Sequence, residues 1–359
     1  MNSLQPLAEI LEQLPTDDDA LASRVLEELL EGGPATVAQL VEMVGDEFGD
    51  PQGVQPKFAL HGLAIYAGRP GANAARKMVA ETLAEQLAAE HSDELKAFVC
   101  RQLQLCGRPE EVSALARLLD SDRLCEPATQ ALLAIGGEGA SAALRNALPG
   151  AQGKRVPTIV KALGRLQDKA SAAAIRRVAD DPDRDVRLTA WYALGNMGDA
   201  EAADLLLKAA QLEAPYERTQ ATDACLLLGR RLAEAGDAQR AEKVFQELLL
   251  KRKGPEDVHH WCAALQGLAE ALGAKAIGDV TAALDSRDAK VRLPAARTAV
   301  DLAGSIRRDE PQQAEKLLKQ VLEATDEEAV RQQAQMLLGE VGLLKLTDRT
   351  IPQGENHVC

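Results

Sequence analysis

Aromatic side chains are scarce, with 4 Phe, 3 Tyr and 2 Trp in 359 residues, so Leu and Ala must supply nearly all the core. Positive charge is also short, 41 Lys and Arg against 55 Asp and Glu, for a net charge of −14. A chain poor in stacking rings and basic stripes is a bad general platform for nucleic acid, which argues against that class of partner. No run approaches the ~18 apolar residues of a membrane span, and no basic segment leads into an apolar one as in a secretory leader. The expectation is a cytoplasmic protein that does not contact a membrane. The six cysteines, at 100, 106, 125, 225, 262 and 359, form no C-x-x-C pair and no dense cluster, which disfavours a disulfide framework or a four-ligand zinc site. The first five sit in apolar helical stretches and read as small core hydrophobes. Cys359 ends a polar stretch and makes no prenylation box.

Catalytic signatures are missing as well. No Walker loop, G-x-S-x-G elbow or H-E-x-x-H is present, which leaves no nucleophile, base or phosphate cradle. His259-His260 resembles a metal pair, but helix neighbours point about 100° apart and cannot easily share one ion. Gly137-Glu138-Gly139-Ala140-Ser141-Ala142 has the letters of a dinucleotide loop without a preceding strand, and reads as a turn between helices. The expectation is a protein that is not an enzyme, with no catalytic residue, no cofactor and no metal.

What is present is charge asymmetry and a repeat. Residues 1–50 hold twelve acidic side chains and only Arg24, a net of −11, so the other 309 residues carry −3. Between Arg145 and Arg177 the balance reverses: Arg145, Lys154, Arg155, Lys161, Arg165, Lys169, Arg176 and Arg177 face only Asp168, for +7. Lys154, Lys161 and Arg165, spaced 7 and 4 apart, share one side of a helix. With Arg145, Arg176 and Arg177 they are the candidate partner-binding residues, suited to an acidic peptide, a phosphorylated segment or a nucleic-acid backbone.

The repeat is clearest at Asp185 to Gly195 and the Asn196-Met197-Gly198-Asp199 that follows, where Val186, Ala190, Ala193, Leu194 and Met197 form one stripe of an amphipathic helix. Gly198 then stands where a helix end takes left-handed geometry. The same frame recurs at Val291-Arg292 and Val330-Arg331, and in weaker form upstream. Frame starts at 95, 124, 155, 186, 217, 258, 291 and 330 lie 29, 31, 31, 31, 41, 33 and 39 residues apart. Such a period holds two helices and a turn. Each frame follows another apolar helix and a polar break, as at Asp180-Asp181-Pro182-Asp183 and Asp285-Ser286-Arg287-Asp288, whose carboxylates suit N-capping.

The Asp-x-x-Val-Arg-x-x-Ala-x-x-Ala-Leu-Gly pattern at Asp183 to Gly195 resembles HEAT repeats of the short type found in phycobilisome lyases. The match is strong over 120–200 and 275–342 and loose over 34–119. The resemblance implies an all-α fold, a right-handed α-solenoid of about ten stacked hairpins, with Arg187, Arg292 and Arg331 in a structural ladder. His259 and Cys262 then take the places of Arg187 and the buried Ala190, a structural reading. Gly229 to Phe245 is similar to a tetratricopeptide repeat and reads as a longer hairpin over 216–254. HEAT-type deoxyhypusine hydroxylases carry His-Glu pairs, and none of the five histidines here is followed by Glu.

The expected organisation is a single array over 1–346, with 1–50 as an acidic N-terminal cap and 347–359 as a flexible polar tail. Three functions compete: a non-catalytic scaffold or adaptor binding a partner protein on a concave face; an accessory or lyase-like factor, as the resemblance implies; and anion or nucleic-acid-backbone binding through the basic middle. Oligomeric state stays open.

Overall fold

The computed structural model describes residues 7–45, 53–251, 254 and 256–349. Among these the chain is helical, with no strand. The first elements are α1 (Leu7–Leu11), α2 (Asp19–Glu31), α3 (Gly33–Val44), α4 (Val54–Ala67), α5 (Asn73–Gln86) and α6 (Asp93–Cys106). Next come α7 (Val112–Ala116), α8 (Cys125–Ile135), α9 (Gly137–Ala147), α10 (Arg155–Arg165), α11 (Ala172–Arg177), α12 (Arg184–Met197) and α13 (Ala203–Ala209). The last are α14 (Pro215–Glu234), α15 (Ala238–Lys251), α16 (Val258–Leu272), α17 (Ile277–Leu284), α18 (Ala289–Ile306), α19 (Pro311–Ala324) and α20 (Glu328–Arg349). Every frame start read from the sequence lies within two residues of the first residue of an even-numbered helix, α6 through α20. The repeat is therefore the hairpin.

The chain divides into two compact units, residues 1–193 and 194–359. In the first unit the even helices stack in order, α2 on α4, α4 on α6, α6 on α8 and α8 on α10, while α3, α5, α7 and α9 stack as a second layer. In the second unit α14, α16, α18 and α20 form one layer, and α13 packs on α15 and α17 on α19 in the other. A short apolar helix cannot bury its stripe alone, so stacking supplies the core. That core is aliphatic, with Leu60, Leu63, Leu103, Leu132, Leu163, Leu228 and Leu268 fully enclosed.

Caps and glycines set the hairpin geometry. Asp183 Oδ1 accepts the Asp185 N–H at 2.8 Å, and Asp288 Oδ1 accepts the Lys290 N–H at 2.9 Å, so the acidic breaks start α12 and α18 as their sequence suggests. Gly198 takes φ 68° just beyond α12, in the left-handed region. Gly164 packs so tightly that an added Cβ would sit 2.7 Å from Ala193. The two tryptophans act alike, as Trp191 Nε1 donates to the Ala179 carbonyl at 3.0 Å and Trp261 Nε1 to the Leu249 carbonyl at 3.2 Å. Each bond ties an even helix to the chain twelve residues earlier.

The longer hairpin expected over 216–254 is α14 with α15, and the fully buried Phe245 ring lies against both Gly229 and Gly267. The segment from Gly137 to Ala142 is not the expected turn. Gly136 alone separates α8 from α9, and Gly137 opens α9. At the other end α20 continues through Arg349, two residues past the start of the expected tail, while 350–359 lie outside the described residues, as do 1–6 and 46–50 of the acidic cap. Among the described residues no helix is long and apolar enough to cross a membrane.

Candidate functional site

In the first unit each even helix presents one outward stripe. On α4 it is Val54, Phe58, His61 and Ile65, at i, i+4, i+7 and i+11, and on α10 it is Lys154, Thr158, Lys161 and Arg165 at the same spacing. In repeat register Arg101 on α6 corresponds to Gln130 on α8, Lys161 on α10 and Tyr192 on α12. The His61 ring Nδ1 and Gln102 Oε1 approach to 3.1 Å, which fixes α4 against α6.

The face has two characters. Its α4–α6 end is apolar: Val54 is 54% exposed, Phe58 45%, Ile65 44% and Leu105 39%. The Arg101 guanidinium lies over the Phe98 ring, 6.0 Å from its centroid. Its α8–α10 end is basic. Arg123, directly before α8, reaches Glu94 at 3.1 Å, whereas the exposed Lys154, Lys161 and Arg165 make no ion pair among the described residues.

The remaining basic residues do not join this group. Arg145 forms a two-pronged pair with buried Asp168, Nε to Oδ2 and Nη2 to Oδ1 both 2.9 Å, and also meets Glu138 at 2.9 Å. Those bonds, to Asp168 first and Glu138 second, hold its guanidinium pKa above the ordinary arginine value. Arg155 faces Asp122 at 3.0 Å and Asp120 at 3.4 Å. Arg176 and Arg177 stand in the last turn of α11, a separate helix. The +7 stretch is thus part inter-hairpin clamp and part open surface.

The three frame arginines share a geometry. Arg187 donates to the Asp181 carbonyl at 2.8 Å, Arg292 to the Ser286 carbonyl at 2.8 Å and Arg331 to the Thr325 carbonyl at 3.0 Å, in each case six residues back across the polar break. Arg292 Nε also reaches forward to the Ala324 carbonyl at 3.1 Å. These acceptors are main-chain oxygens.

The histidine pair separates by environment: His259 is exposed, and His260 is buried with Nε2 3.2 Å from Asp223 Oδ1. Cys100, Cys106, Cys125 and Cys225 are buried as expected, but Cys262 is only half-buried, on a helix face that α18 incompletely covers. Burial pushes the Cys100 and Cys106 thiols up to about 12. Among the described residues no three His, Cys, Asp or Glu side chains converge as a metal site would require.

A family model for HEAT repeats matches residues 158–225. No curated protein matches the chain. Among solved structures, importin β crystallised in an ammonium sulfate condition is 14% identical, covers 93% of this chain and 50% of its own, and superposes with a TM-score of 0.54. The crystal structure of Kap121p is 13% identical, covers 96% of this chain and 41% of its own, with a TM-score of 0.50. The chain spans half or less of the length of these structures, and the likeness is one of fold.

Proposed function

The chain is a HEAT-repeat protein, and from that premise we propose that it is a non-catalytic scaffold or adaptor binding a partner protein through the even-helix face of its first unit. One observation carries the proposal: Lys154, Lys161 and Arg165 stand exposed in one line on α10, without ion pairs among the described residues. Exposed cations in line on a stacked-helix surface suit an acidic or phosphorylated segment. The apolar residues on α4 and α6 extend the same face and offer the desolvated anchors that protein interfaces use.

Charge reversal tests this. Partners recovered by affinity purification on the native chain are compared with those on K154E/K161E/R165E. Loss of a defined partner, with affinity at least tenfold weaker on the variant and falling with salt, is the expected result. A partner set unchanged by the triple variant removes the proposal. A shift of DNA or RNA mobility at low salt that the triple variant abolishes would replace the protein partner by a nucleic-acid backbone.

A further inference from the structure

A second surface lies in the other unit, and its described charged residues are acidic. Between α15 and α17 runs a cleft of about 860 Å³. One wall is the last turn and a half of α15, with Leu249 and Leu250 facing in; the other is α17, with Ala282 and Ala283. Val258, Trp261 and Leu265 of α16 make the floor. α15 ends at Lys251, and Leu249 and Leu250 of its last turn face the cleft. Leu250 is 62% exposed.

The charged residues that line this cleft among the described residues are acidic. Asp279 rises from the first turn of α17 and Asp288 from the cap of α18, and no Lys or Arg among the described residues lines it. Its size fits a regular element, because an α-helix about 10 Å across and two turns long fills roughly 800 Å³. Both walls offer small or branched apolar side chains, which is how a helix receives another in a groove. The floor is held rigid by the bond from Trp261 Nε1 to the Leu249 carbonyl, 3.2 Å long, which spans the cleft's base.

We infer that this cleft is a docking groove for a short amphipathic helix of a partner protein, whose apolar side chains lie over Trp261 and Leu250 and whose Lys or Arg residues meet Asp279 and Asp288. Together with the basic face of the first unit, this gives the chain two sites of opposite charge preference, as an adaptor between two unlike segments requires.

The test uses the full chain and a synthetic 14-residue peptide of Leu and Lys in a helical pattern, with a Leu and Glu counterpart. Trp261 is the probe, since the other tryptophan, Trp191, is only 2% exposed. The Lys peptide should shift tryptophan emission to the blue and bind at least tenfold more tightly than the Glu peptide. Ala282→Arg, an exposed position whose long side chain fills the groove, and Leu250→Asp should each weaken it at least tenfold with helix content unchanged by circular dichroism. Affinity equal for the two peptides, or untouched by both variants, overturns the inference. K154E/K161E/R165E should leave the Lys peptide's affinity as it is, which separates this groove from the face proposed above; a loss there would place the peptide on the first unit and also overturn it.

Discussion

Gly164 on α10 and Ala193 on α12 meet without a side chain between them: a Cβ at Gly164 would stand 2.7 Å from both Cα and Cβ of Ala193. The glycine that closes the Ala-Leu-Gly signature thereby brings one hairpin against the next. Gly195, one repeat later, stands in the same relation to the Ala224 carbonyl, at 2.5 Å. Gly339 stands in the same place in the Leu-Leu-Gly of α20, the last described helix, where a Cβ would meet no atom within 4 Å among the described residues.

Gly164→Ala and Gly339→Ala should therefore act in opposite directions. The first must push two packed helices apart and is expected to lower unfolding free energy by about 1–3 kcal/mol. The second meets nothing and removes an entropic weakness from a helix interior, raising stability by about 0.5–1 kcal/mol. Urea unfolding followed by circular dichroism measures both. A loss at Gly339 equal to that at Gly164 would show that the glycine serves the helix itself and not the docking.

Arg292 joins two hairpins through its Ser286 and Ala324 bonds, of 2.8 and 3.1 Å. Arg292→Ala frees two main-chain carbonyls at once and should cost about 1–3 kcal/mol. Arg292→Lys should recover less than half of this, because one ammonium cannot span both acceptors as a planar guanidinium does. Hydrogen exchange at the amides of α18 and α19 provides the local readout, and a full rescue by Lys would reduce the role of Arg292 to charge alone.

How far the sequence foretells these contacts depends on distance along the chain. Val186, Ala190 and Leu194 announce a helix because burying one face imposes its period on neighbouring letters, and the recurrence at 31 residues announces the hairpin. The partner of Arg145 is invisible in the same letters: Asp168 lies 23 residues away, and only the turn at the end of α10 brings them together. Composition counts Arg145 as free positive charge alongside Lys154, Lys161 and Arg165, and only the last three stand exposed without an ion pair among the described residues. Cys262 reads as core from its apolar neighbours, yet α18 covers it only in part. The α15–α17 cleft has no local signature, since its lining is gathered from α15, α16, α17 and the start of α18.

Stability should fall as pH rises above about 9, because Cys100 and Cys106 keep their protons in the folded chain up to about 12 while the unfolded thiols ionise near 9. Burial is the first cause in both. The sign follows from proton count: between these values the native state binds more protons, so each added pH unit favours unfolding, by up to about 1.4 kcal/mol per thiol. Below pH 9 the two contribute nothing to the slope. The C100A/C106A variant starts from lower stability but should decline less steeply from pH 9 to 11 in urea titrations; parallel curves would refute the assignment. In a Cys359→Ser background, an added thiol reagent at neutral pH should modify half-buried Cys262 before the four buried cysteines.

Phe245 supplies the last contrast, because its ring fills space that two glycines leave open. A Cβ on Gly229 would lie 2.6 Å from the ring's Cζ, and one on Gly267 2.4 Å from it. Phe245→Ala empties a fully buried site and should cost about 3–5 kcal/mol. Gly267→Ala alone should cost about 1–3 kcal/mol through overpacking. Combined with Phe245→Leu, however, the added methyl enters room that the lost ring has vacated. The double variant G267A/F245L is then expected to be more stable than the sum of the single losses predicts, with a coupling of at least ~1 kcal/mol. Strict additivity in urea unfolding would mean that α14 and α16 are not spaced by this ring, and the reason for the glycine on each helix would have to lie elsewhere.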